Sequence, residues 1–210
     1  MAMVARVAGR LAGVAAVAVL TAVGAGTAGG TAATAATVGA GDTGGPGEVN
    51  YSEVRTAARF SPPMAFVPSL ALTYDTSTVP AGARIEVEQR SDSGQGTTVL
   101  LHVSGVRPGH DFGARVHTKP CGADPAAAGA PYQNLIDPLR SPTDPTYVNA
   151  QNEVWLDFTA DAQGAGEAQA HHAWDFRSGQ AGSVVILDRP DAGGAPVACF
   201  TVPFGAVSKG

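Results

Sequence analysis

The chain has 210 residues, of which 44% are hydrophobic and 15% are charged, and its formal net charge is −5 at pH 7. This length suits one sizeable domain or two very small ones, and the acidic balance argues against nucleic acid or an anionic membrane surface as a partner. The 27 glycines and 15 prolines favour short strands and turns over long helices.

Residues 1–35 are predicted to be a signal peptide. Arg6 and Arg10 form a charged start, residues 11–25 form an apolar stretch, and small residues follow as candidate cleavage positions. The apolar stretch is shorter than the roughly 20 residues that a membrane span needs, so retention as an anchor is the weaker alternative. Losing two arginines and no acidic residue would take the net charge from −5 to about −7. We expect a secreted or cell-envelope protein with no stable membrane span after cleavage.

Residues 36–68 are predicted to be a flexible linker rich in Ala, Gly, Thr and Pro, although residues 51–68 are more mixed in composition. The folded domain is predicted at residues 69–207, where apolar and polar side chains alternate in short stretches between turn residues. About eight such stretches predict an all-β antiparallel sandwich or barrel. The predicted strands are Ser69–Tyr74, Ala83–Gln89, Thr97–Val103, Phe112–Val116, Glu153–Thr159, Glu167–Phe176, Ser183–Leu187 and Val197–Val202.

One segment breaks this spacing. Residues 122–150 contain six alanines, five prolines and few β-branched residues. A loop of this length is uncommon inside a compact β domain and is often functional. The only cysteines, Cys121 and Cys199, lie at its start and near the end of the chain, and an exported protein would permit them to form a disulfide.

Several stretches between Ser69 and Phe204 resemble motifs of the copper/zinc superoxide dismutase family, notably its secreted bacterial branch. The resemblance implies the Greek-key β-barrel of that family and a disulfide between Cys121 and Cys199. No single motif is specific, but their order along the chain matches that of the family. The stretches are Val106–His117, Cys121–Gly122, Ala128–Asn134, Asp157–Gly164, Ser183–Asp188 and Val197–Cys199.

The same resemblance implies where metal ligands would stand, and most of those positions have changed. In the family, histidines hold copper, and histidines with an aspartate hold zinc. Arg115 replaces the first histidine of the His-x-His pair, while His117 retains the second. Pro131 aligns with the bridging histidine, Leu187 with a later copper histidine, and Pro196 with the active-site arginine. The next zinc histidine falls near Asn134, and the family's His-x-x-Asp falls on Gln151–Val154, just before Trp155. Because proline and leucine have no donor and arginine stays cationic, we expect no bound cofactor.

Two questions about this region stay open from the residues alone. Arg115 either pairs with a carboxylate such as Asp157 or Asp188, or forms an anion site. The second question is whether the region holds a rebuilt metal site. Such a site would combine His117 with one of the two consecutive histidines and an aspartate of residues 122–150, called the long loop below. The candidates for that site are His171, His172, Asp124, Asp137 and Asp144.

The predicted function is an exported, superoxide-dismutase-like β-barrel without catalytic residues, serving as a binding or structural module for an unidentified extracellular or envelope partner. The sequence has no Ser-His-Asp order, phosphate loop or Cys-x-x-Cys pair that would suggest another enzyme. The alternative is a copper/zinc superoxide dismutase, converting superoxide to oxygen and hydrogen peroxide, or a copper-binding relative, with ligands that the motifs do not place. Copper and zinc would then be its cofactors. A copper chaperone or metal store would need the same missing ligands.

Overall fold

The computed structural model describes residues 37–39 by their backbone, and residues 51–66, 69–92, 94–141, 143–190 and 194–205. The predicted signal peptide and much of the predicted linker lie outside these residues and remain predictions. The described residues form ten strands and one short 3-10 helix. In chain order these are β1 (Thr37–Gly39), β2 (Tyr51–Ser61), β3 (Ala71–Thr73), β4 (Arg84–Asp92), β5 (Gly96–Ser104), β6 (Asp111–His117), the 3-10 helix (Pro125–Ala128), β7 (Phe158–Thr159), β8 (Ala165–His172), β9 (Ser183–Leu187) and β10 (Pro196–Thr201).

The strands form a barrel that is nearly closed. Nine of them follow the order β7-β6-β9-β10-β3-β2-β4-β5-β8, and β1 pairs with β2. Among the strands that the structure describes, only β2 and β3 pair in parallel, over two residues of each strand. The terminal strands β7 and β8 meet through a tight turn in which the Asp161 N–H donates to the Ala165 carbonyl at 2.7 Å. The connections β5–β6 and β8–β9 join strands that are not neighbours, so the predicted all-β Greek-key barrel is confirmed.

The core fills the inside of the barrel and follows from the period-two pattern of the strands. Ile85 and Val87 of β4 are buried, as are Val99 and Leu101 of β5. Aromatic residues occupy much of the remaining volume. The largest fully buried side chains are Tyr132, Phe60, Phe112, Phe200 and Phe204.

Part of the predicted linker is a strand in the structure: Tyr51–Ser61 forms β2. Residues 51–61 pair with β4 along nearly their whole length, and the buried side chains of Val54, Thr56 and Phe60 face inward at alternate positions. The sequence signal was weak because Thr56 and the half-buried Ala58 dilute the apolar alternation. The ordered barrel therefore begins by Tyr51, earlier than the predicted start of the domain.

The predicted strand Glu153–Thr159 is regular only at Phe158–Thr159. Before this point, Trp155 forms an isolated bridge with Arg115. The Ala114 N–H donates to the Asp157 side chain at 2.9 Å instead of to a backbone carbonyl, which interrupts the ladder. The predicted strand Glu167–Phe176 is likewise shorter, because β8 ends at His172.

Candidate functional site

A cavity of about 870 Å³ opens between the long loop and strands β6, β9 and β10. It brings together five of the positions that the family resemblance assigns to a metal ligand or to the active-site arginine. These positions are Arg115, His117, Pro131, Leu187 and Pro196. They come from four separate parts of the chain, so their convergence depends on the fold.

Arg115, in the middle of β6, is buried against the cavity wall, with 7% of its side chain exposed. One guanidinium nitrogen donates to the Asp157 carboxylate and to the Ala114 carbonyl, and the other donates to the Pro190 carbonyl at 2.9 Å. The guanidinium carbon also lies 4.2 Å from the centre of the Trp155 ring, in cation–π geometry. Of the two possibilities left open by the sequence, the ion pair is the one observed, and its partner is Asp157.

His117 ends β6 and is held in one tautomer. Its Nδ1 lies 2.8 Å from the Gly129 carbonyl oxygen, and because a carbonyl only accepts, Nδ1 carries the proton. Burial lowers the pKa of His117 below its ordinary value; the Gly129 hydrogen bond opposes this shift, and the nearby Arg115 cation adds to it. His117 is therefore neutral near pH 7 and carries an unprotonated Nε2.

Copper and zinc do not fit the residues around His117. Pro131 bridges to His117 on the neighbouring segment, and Leu187 lies on β9, but neither side chain has a donor atom. The Arg115 guanidinium stays protonated and offers no lone pair to a metal ion. Among the described residues, no group of three or more His, Cys, Asp or Glu is placed to hold a metal ion.

The other histidines do not line this cavity. His102 lies near Glu167 on the barrel surface, and His110 bonds to the Asp188 carbonyl. His171 contacts Thr98, and His172 stacks on Trp174 at 4.2 Å between ring centres.

The loop aspartates are also engaged elsewhere. Asp124 caps the 3-10 helix by accepting from Ala126, and Asp144 accepts from Thr146. Asp137 lines the cavity, but its two oxygens accept backbone N–H bonds from Leu139 and Ser141. The structure thus does not assemble the alternative site built from His117, a second histidine and a loop aspartate.

Glu153 is a buried acid in the cavity wall that sequence reasoning missed as a site residue. Its side chain accepts from Gln133 Nε2 at 3.0 Å and from Trp155 Nε1 at 2.9 Å. The residue is only 3% exposed. The sequence signal was its place just before Trp155, where the family resemblance expects zinc ligands. Both carboxylate oxygens are instead bound to neutral donors within the wall.

Arg177 is a second wall residue that the sequence did not single out. It donates to the Gln133 and Asn134 carbonyls at 2.7 and 2.8 Å and to the Gln180 side chain at 2.7 Å. Its guanidinium carbon lies 4.6 Å from the Tyr132 ring centre. These contacts fasten the long loop to the barrel and hold the guanidinium in a fixed orientation.

The disulfide predicted from the resemblance is confirmed. Cys121 and Cys199 are bonded, with their Cα atoms 5.8 Å apart, and link the start of the long loop to β10. The Tyr74 hydroxyl adds a second tie by donating to the Gly122 carbonyl at 2.8 Å. Together these contacts anchor the loop that forms one side of the cavity.

No family model matches the chain, and no curated protein matches it. Solved structures that it resembles include a double mutant of a superoxide-dismutase-like protein from Bacillus subtilis, at 17% identity and TM-score 0.44, covering 57% of this chain and 88% of that one. A single mutant of such a protein from the same organism matches at 12% identity and TM-score 0.43, covering 71% and 97%. The Cu/Zn superoxide dismutase of Brucella abortus matches at 16% identity and TM-score 0.43, covering 71% and 99%. At these identities and scores the likenesses bear on neither activity nor ligands.

The part of the chain that the structure describes contains no helix with the length and hydrophobicity required to cross a bilayer.

Proposed function

We propose that the chain is an exported, non-catalytic binding module built on a superoxide-dismutase-like barrel. Its cavity would take a ligand other than copper or zinc. The observation that carries this proposal is that five positions where the resemblance implies metal ligands or the active-site arginine converge on one cavity. Of these five positions, only His117 has a side chain suited to a metal. A site whose position is kept while its donors are replaced is suited to binding rather than to metal redox chemistry.

Two features support export. The Cys121–Cys199 disulfide is of the kind that persists in oxidising compartments. The charged and apolar N-terminal residues also have the composition of a secretory signal. A partner in the envelope or outside the cell is consistent with both.

The alternative, a copper/zinc superoxide dismutase or copper-binding relative, is favoured by one specific observation. His117 is neutral and has an unprotonated Nε2, which is the state that a metal ligand requires. One imidazole alone is fewer ligands than a stable copper or zinc site uses. A working enzyme would therefore have to recruit donors that do not lie around this cavity among the described residues.

A superoxide-consumption assay separates these functions. The protein would be equilibrated with copper and zinc, desalted and compared with the same protein treated with a chelator. We expect equal rates in both samples. A metal-dependent rate that is abolished by His117→Ala would overturn the proposal and establish the alternative, and the exposed-site variant His171→Ala serves as the matched control.

A further inference from the structure

The cavity has the size and lining of a small-molecule site. Its volume of about 870 Å³ lies within the roughly 300–1,000 Å³ that is usual for ligand pockets. Much of its wall is apolar, and Ile136 at its edge keeps 58% of its surface exposed. The apolar residues of the wall include Pro131, Ile136, Val148, Leu187, Pro190 and Pro196.

The side chains around the cavity include more cations than anions. Arg115 is neutralised by Asp157, and the carboxylates of Asp137 and Glu153 are bound by N–H donors of the wall. Lys119, Arg140 and Arg177 also line the cavity. Within the described ranges, none of these three cations forms an ion pair. Hydrogen bonds from neutral donors leave these carboxylates charged, so the cavity residues, with Asp157 included, hold four cations against three anions. The local balance is thus one positive charge, in a chain whose net charge is negative.

The guanidinium of Arg177 is held in a fixed orientation and has free N–H groups that could bind an anion. Three of its five N–H groups bond to Gln133, Asn134 and Gln180, which fixes the plane of the guanidinium and leaves two N–H groups without a bond to a described residue. A guanidinium that is fixed in place and keeps free N–H groups suits an anion such as a carboxylate, which accepts charge-assisted hydrogen bonds. Lys119 and Arg140 are exposed, so they lie where the cavity opens to solvent.

We propose that this cavity binds a small amphipathic carboxylate. The apolar tail lies against the proline- and leucine-lined wall and covers Ile136, and the carboxylate lies among Arg177, Lys119 and Arg140. This inference rests on the proposal that the chain is a metal-free binding module, because a metal centre at His117 would occupy the same cavity.

Calorimetric titration of the full-length, chelator-treated protein tests the proposal, with decanoate as the probe below its micellar concentration. We expect saturable binding at one site, weakening roughly fourfold for each methylene removed from the tail. Decyltrimethylammonium, with the opposite charge, and decanol, with none, are expected to bind at least about tenfold more weakly. Absence of decanoate binding, or equal or tighter binding of either comparison compound, would overturn the proposal.

Paired variants locate the binding site. Removing the two exposed cations with Lys119→Gln and Arg140→Gln is expected to weaken decanoate binding about tenfold or more. The matched control, Arg84→Gln with Arg107→Gln, makes the same charge change at exposed positions that do not line the cavity, and binding should be unchanged. Equal losses in the two pairs would show a general charge effect and contradict the site.

Two substitutions in the long loop test where the apolar tail of decanoate binds. Ile136→Asp is expected to weaken decanoate binding, whereas Leu139→Asp should not, because Leu139 is exposed on the same loop but does not line the cavity. Elemental analysis of the same preparation keeps the two proposals separate. Metal-free protein that binds no decanoate refutes only this inference, whereas copper held in the cavity refutes the proposed function.

Discussion

The guanidinium of Arg115 and the carboxylate of Asp157 form an ion pair in the wall of the barrel, where the side chain of Arg115 is only 7% exposed. The pair stands at a position where the family resemblance implies a copper ligand. The arginine is held further by the Ala114 and Pro190 carbonyls and by the Trp155 ring. Arg115 is therefore part of the packed and hydrogen-bonded structure of the wall.

Breaking this pair should destabilise the fold. Asp157→Asn keeps the side-chain shape but leaves the Arg115 cation buried without its counterion. We expect the free energy of unfolding to fall by about 2–4 kcal/mol, which is below the full value for a buried pair because Asp157 is partly exposed. Denaturant unfolding measures this change.

A double-mutant cycle gives the control. Adding Arg115→Met to Asp157→Asn removes the unpaired charge and should recover part of the lost stability. The surface pair Arg55–Glu86, with side chains 56% and 31% exposed, should lose about 1 kcal/mol or less on Glu86→Gln. Equal losses for Glu86→Gln and Asp157→Asn would contradict a special role for the buried pair.

Introducing one histidine should not create a metal centre. Arg115→His gives two histidines in β6, but Pro131 and Leu187 still provide no donors. We expect this variant to hold well below one copper per chain and to show no metal-dependent superoxide consumption. Leu187→His, which leaves the Arg115–Asp157 pair intact, is the matched variant, and a metal-dependent rate in either one would overturn the account of the cavity.

The disulfide should contribute substantially to stability. Cys121 and Cys199 are separated by 78 residues, and closing a loop of this length is worth about 4 kcal/mol in the chain-entropy model. We expect Cys121→Ala with Cys199→Ala to lower the free energy of unfolding by about that amount in denaturant titrations. Reduction of the native protein is the control, and it should give a similar loss. An unchanged unfolding midpoint in the reduced protein would refute this prediction.

Acid should weaken the fold through its buried histidines. Burial lowers the pKa of His117, and it lowers the pKa of His172, where the His171 charge adds to the shift. As pH falls through the ordinary histidine value of 6.5, the unfolded chain takes up protons before the folded one does. Stability is thus fully present above this pH and declines below it. Unfolding measured at about pH 7.5 and about pH 5.5 should show the loss, and His117→Gln should reduce it.

Nitrogen NMR of the His117 ring gives an independent check. The Gly129 contact requires a proton on Nδ1 in the neutral form. Observation of the Nε2–H tautomer, or of a pKa for His117 above its ordinary value, would contradict the described geometry.

The barrel was largely predictable because burial of one sheet face imposes an alternation that is visible in the sequence. The predicted strand Ser183–Leu187 coincides with β9. Strand β2 was missed because its inward positions include Thr56 and Ala58, whose modest hydrophobicity hides the period. Its stability comes from pairing with β4, a partner distant in sequence.

The candidate site was only partly predictable. The resemblance selected positions that the fold does bring together, including Pro131 and Leu187. It did not indicate the role of Arg177, because that role depends on loop carbonyls at Gln133 and Asn134 that approach only in the folded chain. Similarly, the choice of Asp157 over Asp188 as partner of Arg115 depends on where the irregular segment before β7 turns inward.

The most direct test of the central claim is the metal content of the purified protein. The protein would be equilibrated with copper and zinc, desalted and analysed for both elements. Because the described residues around His117 do not form a group that could hold a metal ion, we expect well below one metal ion per chain, unchanged by His117→Ala. One tightly held copper per chain that is lost in His117→Ala would contradict the account.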